Sequence, residues 1–66
     1  MKLSEAIAKA MSEEFRGVVF VDRNRNETKV LIAFNRLWIE ENGGLVPFAP
    51  TVQEAAEDGW QPTNDV

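Results

Sequence analysis

Residues 37–48 of the chain read LWIEENGGLVPF and contain the strongest local folding signal in the sequence. The Asn42-Gly43 dipeptide lies between two apolar segments, and it favours the type I′ turn whose twist matches that of an antiparallel hairpin. Strands are therefore predicted over residues 37–41 and 44–48. Because Pro47 has no amide donor, the second of these strands is expected at an edge of its sheet.

Two further strands are predicted before this hairpin. Residues 17–22 and 28–34 are rich in valine, isoleucine and phenylalanine, which favour extended backbone. The polar residues 22–27 between them form a loop, and residues 35–36 predict a tight turn into the third strand. The order of segments therefore predicts an antiparallel sheet.

An amphipathic helix is predicted over residues 4–15, before the first strand. Its apolar side chains recur at three- and four-residue spacing and form one stripe. The stripe consists of Leu3, Ile7, Ala10, Met11 and Phe15. Ser4 is the expected N-cap, and Gly17 is the expected stop signal.

A short second helix is predicted over residues 52–58. Thr51 and Glu54 have the spacing of a capping box, in which each side chain accepts a hydrogen bond from the other's backbone amide. Gly59 is expected to end this helix in the left-handed conformation. A short strand at residues 61–62 completes a single domain over residues 1–62, and residues 63–66 are expected to form a flexible tail.

Both faces of the predicted sheet are apolar, which is the most informative pattern in the sequence. In the first strand Val18 and Phe20 point one way and Val19 and Val21 the other. In the second strand Val30, Ile32 and Phe34 oppose Leu31 and Ala33, and in the third strand Leu37 and Ile39 oppose Trp38. A sheet with one solvated face would instead carry polar side chains on that face. The expected fold is therefore α+β: an N-terminal helix on a small antiparallel sheet, a short capped C-terminal helix, and a far face buried by self-association. The alternative is a three-layer monomer, in which the second helix and the tail cover the far face.

Length and composition exclude several classes of protein. The chain has 66 residues and contains neither cysteine nor histidine. Their absence removes disulfides, zinc sites built on sulfur or imidazole, and the common nucleophile–base pairs. We therefore expect no enzyme, no metal and no cofactor. A chain this short buries only about 60% of its unfolded surface, so self-association is the expected source of added stability.

No segment of the sequence predicts a membrane span or a signal peptide. The longest apolar run covers residues 30–34, far fewer than the roughly 20 residues that a spanning helix needs. The charged residues of the first 15 positions also leave no apolar signal core. A cytoplasmic location is therefore expected.

Charge is divided unevenly along the chain, whose formal net charge is −4. Residues 16–36 are basic overall, whereas residues 37–66 contain no lysine or arginine. The acidic residues of that second segment are Glu40, Glu41, Glu54, Glu57, Asp58 and Asp65. This division is typical of a solvated surface, but the basic segment is also a candidate anion site. Duplex nucleic acid is not an expected partner, because the net charge repels phosphate.

The basic segment contains the first candidate binding residues. Arg23, Asn24 and Arg25 place guanidinium and amide groups on one loop, and guanidinium groups bind phosphate through paired hydrogen bonds. Such residues are more usually those of a solvated hairpin tip. Trp38 and Trp60 are candidates for stacking on a nucleobase, or for anchoring a core or an interface.

The C-terminal third carries a resemblance to a known family. Pro47-Phe48-Ala49-Pro50-Thr51, then Glu54, then Asp58-Gly59-Trp60 is similar to the C-terminal signature of the phage Thoeris anti-defence proteins of the second type. The opening Ser4-Glu5-Ala6-Ile7 resembles that family's first helix. The family's tryptophan after the first helix has no counterpart here, and Arg23 matches the family's arginine only loosely.

This resemblance implies a cytoplasmic homodimer or homotetramer that sequesters a cyclic nucleotide-type immune signal without cleaving it. Phe48, Pro50, Thr51 and Glu54 would then lie beside a pocket between subunits, with Arg23 as a phosphate contact. The location would be the host bacterial cytoplasm if a phage encodes the chain.

The alternative function is that of a small acidic inhibitor, which would block a host or immune enzyme through residues 37–66. The sequence-based set of ligand-binding candidates is Arg23, Asn24, Arg25, Trp38, Phe48, Pro50, Thr51 and Glu54.

Overall fold

A computed structural model describes all 66 residues of the chain. The helices are α1 (Leu3–Ser12) and α2 (Val52–Ala56), and the strands are β1 (Gly17–Val21), β2 (Glu27–Ala33), β3 (Arg36–Glu41), β4 (Gly44–Pro47) and β5 (Trp60–Thr63). The five strands form one antiparallel sheet in the order β4-β3-β2-β1-β5. The predicted α+β class, with α1 packed on the sheet, is confirmed.

The two hairpin turns around β3 differ in how well the sequence predicted them. Asn42 and Gly43 have φ values of 53° and 83°, as the predicted turn requires, and Pro47 lies on the edge strand β4. The preceding turn is formed by Phe34 (φ 53°) and Asn35 (φ 61°), one residue earlier than predicted. Pairing of Ala33 with the first residue of β3 leaves only these two residues to form the loop.

Helix α1 begins and ends earlier than predicted. Its N-cap is Lys2 and not Ser4, and the Lys2 amide donates to Glu5 Oε1 over 2.9 Å. The helix ends at Ser12, and Glu14 takes the positive φ of 61° that follows it. Gly17 does not stop the helix but opens β1, where a Cβ atom would collide with the carbonyl oxygen of Val30.

Helix α2 has the predicted start but a different end. Thr51 Oγ1 accepts from the Glu54 amide (3.1 Å), and Glu54 Oε1 accepts from the Thr51 amide (2.9 Å). The helix ends at Ala56, two residues earlier than predicted, and Gly59 is not left-handed. Position 59 favours glycine because a Cβ atom there would lie 2.5 Å from Cε2 of Phe20 and would force that ring to shift.

The core lies between α1 and one face of the sheet, which we call the covered face. Its buried side chains are Leu3, Ala6, Ala10, Val18, Val30 and Trp60. The Trp60 indole is 1% exposed, lies 5.2 Å from the Phe20 ring, and donates from Nε1 to the Glu54 carbonyl over 2.9 Å. Trp60 thus joins α2 to the same side of the sheet as α1, so α2 does not cover the far face as the three-layer alternative requires.

Residues 63–66 differ from the expected tail. Thr63 belongs to β5, so the domain boundary predicted after residue 62 falls inside a strand. Asn64 Oδ1 accepts from the Arg16 amide (3.0 Å), and Asp65 pairs with Lys29. A Cβ atom on Gly17 would meet a methyl group of Val66 at 3.1 Å. The last residues therefore lie along the far face beside β1 and β2, because that face offers both polar and apolar contacts.

Candidate binding surface on the open face of the sheet

The face of the sheet opposite α1, which we call the open face, carries a continuous group of apolar side chains. Pairing of Leu31 with Trp38 places these two residues and Ala33 on this face. Five residues, Leu31, Ala33, Phe34, Trp38 and Leu45, line a hollow of about 190 Å³ and are called here the apolar patch. Phe34 is 92% exposed and Leu45 is 55% exposed, so the chain leaves these two side chains of the patch uncovered, whereas Leu31, Ala33 and Trp38 are half-buried.

A second hollow on the open face adjoins the apolar patch and adds charge to it. Its volume is about 310 Å³, and its lining comprises Arg16, Lys29, Leu31, Trp38, Glu40, Leu45 and Val66. Two cations and one carboxylate, that of Glu40, thus lie around an indole ring and two leucines. Guanidinium and ammonium groups bind phosphate, and an indole face stacks on a nucleobase, so this lining has the chemistry of a nucleotide subsite.

The two side chains that give this hollow its character are each held by a hydrogen bond. Trp38 Nε1 donates to the Ala33 carbonyl oxygen over 2.9 Å, which fixes the indole against β2. Lys29 Nζ lies 2.9 Å from Asp65 Oδ2. The Asp65 hydrogen bond and charge raise the pKa of Lys29, and the same bond lowers the pKa of Asp65. The pair is exposed to solvent, so an external anion can compete with Asp65 for the ammonium group.

The predicted loop residues lie in a different place. Arg23 and Asn24 line a cleft of about 690 Å³ between the β1–β2 loop and the end of α2, together with Asp22, Glu57 and Asp58. Asp22 Oδ1 accepts from the amides of Asn24 (2.8 Å) and Asn26 (2.9 Å), which fixes the loop. The cleft has three carboxylates around one guanidinium. The open-face hollow has two cations, Arg16 and Lys29, against Glu40 and the Asp65 that pairs with Lys29, so it is the less acidic of the two and suits an anion better.

Arg25, the third loop candidate, contributes nothing to this cleft. Its backbone has a φ of 62°, and its side chain is exposed and forms no ion pair within the chain.

The candidates that came from the family resemblance lie on the helical side of the sheet. Phe48 packs against the core with its ring centre 6.4 Å from that of Trp60, and Pro50 is half-buried. The hydrogen bonds of the capping box engage the side chains of Thr51 and Glu54. Within one chain the predicted residues therefore occupy three separate places, and only Trp38 belongs to the open-face hollow.

Sequence reasoning missed most of the residues around Trp38. Strand alternation puts Lys29 and Leu31 on the same side of β2, so that pattern contained a usable signal for Lys29. Arg16, Leu45 and Val66 come from three other segments, and only the strand register and the path of the tail bring them to β2.

The acidic residues of the C-terminal half do not form one surface. Asp65 is paired with Lys29, and the Glu54 carboxylate is held in the capping box. Glu40, Glu41, Glu57 and Asp58 form no ion pair within the chain.

Neither helix could cross a bilayer, since neither is long and apolar enough. No family model matches the sequence, and comparisons with curated proteins and with solved structures also found no match. The resemblance to the Thoeris anti-defence proteins therefore stays a prediction.

Proposed function

We propose that this protein is a non-catalytic binding protein that sequesters an anionic, cyclic nucleotide-type molecule between the subunits of a homo-oligomer. The observation that carries the proposal is the open-face hollow, where Arg16 and Lys29 lie beside the Trp38 indole. A phage anti-defence role in the bacterial cytoplasm is the biological setting that the family resemblance suggests.

The shape of the hollow supports a site completed by a second subunit. Its volume of about 310 Å³ is at the lower limit of small-molecule sites, and it opens on a surface rather than into the domain. The neighbouring apolar patch exposes Phe34 and Leu45 to water, which favours coverage by another chain. A second subunit that covered the patch would add a wall to the hollow and exclude water from the ligand.

The direct test is ligand titration with matched charge variants. Purified protein is measured by native mass spectrometry and calorimetry against cyclic mononucleotides, cyclic dinucleotides and cyclic ADP-ribose isomers. Lys29→Met removes a cation from the open face and keeps an unbranched side chain, and Arg23→Met does the same in the loop cleft. Loss of binding in the first variant alone supports the open-face site, because a charged hydrogen bond contributes about 1.5–3 kcal/mol.

Two other outcomes contradict the proposal in different ways. Loss of binding only in Arg23→Met would move the site to the loop cleft. If no anion in the panel binds and one bacterial protein co-purifies at a fixed stoichiometry, the protein is an inhibitor instead. The carboxylates of Glu57 and Asp58, which lie beside Asp22 in the loop cleft and form no ion pair within the chain, favour this second candidate, because together they suit a basic partner surface.

A further inference from the structure

Phe34 is the least expected residue in the molecule. It occupies the first position of the β2–β3 turn with a φ of 53°, where a bulky side chain is strained and asparagine or glycine is not. Its ring is 92% exposed at the rim of the apolar patch. Phe34 therefore strains the backbone of the isolated chain, and its exposed ring contributes almost nothing to folding in return.

The edges of the sheet are poorly suited to bind another strand. Pro47 pairs with Trp38 on the outer strand β4, and Pro62 pairs with Val18 on the outer strand β5. The Phe48 amide donates to the Leu37 carbonyl, and the Val21 amide donates to the Gly59 carbonyl. Because inward and outward positions alternate along an antiparallel edge strand, these bonds show that the nitrogens of both prolines point away from the sheet. Each outer edge therefore lacks a donor where an added strand would need one. Away from the edges, the open face brings two exposed large apolar side chains, Phe34 and Leu45, together in one patch, whereas Met11 and Val52 lie on separate helices.

The open face of β3 carries a self-complementary row of side chains. Strand alternation aligns Arg36, Trp38 and Glu40, with a cation on one side of the indole and an anion on the other. The two charged residues are about 13 Å apart along the strand and form no ion pair within the chain. A twofold axis through Trp38 would place Arg36 of each copy opposite Glu40 of the other.

We propose that a second copy of this chain covers the open face in a symmetric face-to-face dimer centred on Trp38. Phe34 of each copy is the anchor that packs on the partner's apolar patch, and reciprocal Arg36–Glu40 pairs set the orientation. This inference rests on the oligomeric part of the proposed function and names the surface that forms the oligomer. Because the partner then covers the Trp38 indole, the ligand of the proposed function would be bound at the rim of the interface, beside Arg16 and Lys29. It requires no ligand, so it can be tested separately.

The first experiment separates association from folding at Phe34. Phe34→Asn suits the left-handed turn, so the urea midpoint of the dissociated chain should stay equal or rise. The same variant removes the anchor, so the dimer dissociation constant should increase about 30-fold or more, as measured by sedimentation equilibrium. Val52→Asn is the matched control, because Val52 is also an exposed apolar residue (89%) but lies on α2, away from the open face.

The second experiment tests the symmetry through charge reversal. Arg36→Glu and Glu40→Arg each place like charges in contact across the axis and should weaken the dimer about tenfold. The double variant restores opposite charges at both positions and should recover the wild-type dissociation constant within about threefold. Because the two residues are too far apart to pair within one strand, such recovery arises between copies.

A monomeric wild-type protein at high concentration overturns the proposal. So does a Phe34→Asn variant that dimerises as tightly as the wild type, or a double charge variant that shows no recovery. A ligand-free dimer that responds as described supports the interface even if every nucleotide fails to bind. Nucleotide binding by a chain that stays monomeric contradicts the interface while leaving the ligand class intact.

Discussion

The covered and open faces are built from the same strands and have similar apolar content, yet they differ in what packs against them. On the covered face, α1 and Trp60 enclose Val18 and Val30 completely. On the open face, residues 64–66 lie beside β1 and β2, and the apolar patch is left in contact with water. Apolar composition alone therefore does not decide which face becomes the core.

The difference arises from the length of the covering segments. Helix α1 has 10 residues and presents one apolar side to the sheet, whereas α2 has 5 residues and packs beside α1 through Trp60. With both helices on the covered face, no remaining segment is long enough to cover the open face. The stability of the isolated chain should therefore depend mainly on the covered face, and the open face should serve interactions with other molecules.

The tryptophans give the largest expected contrast. Trp60→Ala should lower the free energy of unfolding by about 3–5 kcal/mol, because it leaves a cavity where α1, α2 and the sheet meet. Trp38→Ala should cost about 1 kcal/mol in the dissociated chain, because that side chain is only half-buried. Urea denaturation followed by circular dichroism at low protein concentration measures both. Equal losses would show that the two faces contribute alike to folding.

The next effect is expected at Gly59, beneath the covered face. In Gly59→Ala the new methyl group would lie 2.5 Å from the Phe20 ring and 3.0 Å from the Val21 carbonyl oxygen. We expect a loss of about 1–3 kcal/mol from this overpacking, measured by urea denaturation. Gly44→Ala is the control, since its nearest neighbour is an oxygen 3.9 Å away, and it should change stability by less than about 0.5 kcal/mol. A loss at position 44 equal to that at 59 would contradict the steric explanation.

A smaller effect is expected at the start of α2. Thr51→Ala removes the acceptor of the 3.1 Å bond from the Glu54 amide and should cost about 1 kcal/mol. Because the Glu54 carbonyl accepts from Trp60, the loss should also loosen the covered face. Thermal unfolding measures the change, and Thr51→Ser should retain most of the stability. An unchanged melting temperature in Thr51→Ala would show that the cap is dispensable.

The smallest effect is expected on the open face, from the exposed Lys29–Asp65 pair. The pKa of Asp65 is lowered by Lys29, so the pair's contribution is present at neutral pH and is lost as pH falls through that lowered pKa. The pKa of Lys29 is raised, so the contribution is also lost as pH rises through that value in alkali. Carboxyl chemical shifts followed by NMR should show Asp65 titrating at a lower pH in the wild type than in Lys29→Met. Coincident titrations would show that the pair does not form in solution.

Much of the fold could be predicted because several residues have a single strong conformational preference. Asn42-Gly43 favours one turn type, and Thr51 with Glu54 favours one cap, so both features lie where the sequence places them. The helix ends were less predictable, because neither Lys2 at the N-cap nor the left-handed Glu14 is a usual terminal residue. The Phe34 turn was misplaced for the same reason, since phenylalanine rarely adopts a positive φ.

The candidate site was harder to predict than the fold. Alternation along β2 and β3 could place Leu31 beside Trp38, but Arg16 and Leu45 reach the hollow only through pairing across the sheet. Arg23 and Asn24 were predicted to bind an anion from their side chains alone. The acidic residues that lie beside them, Glu57 and Asp58, come from a distant segment, so the sequence around the loop does not reveal them. Side-chain type indicated the chemistry, whereas long-range register decided the location.

The unequal burial of the two tryptophans also gives the molecule a pair of optical probes. Trp60 is enclosed on all sides, and Trp38 is half-exposed on the opposite surface. Emission from an enclosed indole lies at shorter wavelength and resists quenching by acrylamide, whereas a wetted indole emits further to the red and is quenched readily. Titration with acrylamide can therefore report on both the core and the open face in one unlabelled sample. Variants that retain only one of the two tryptophans assign each part of the signal to Trp38 or to Trp60.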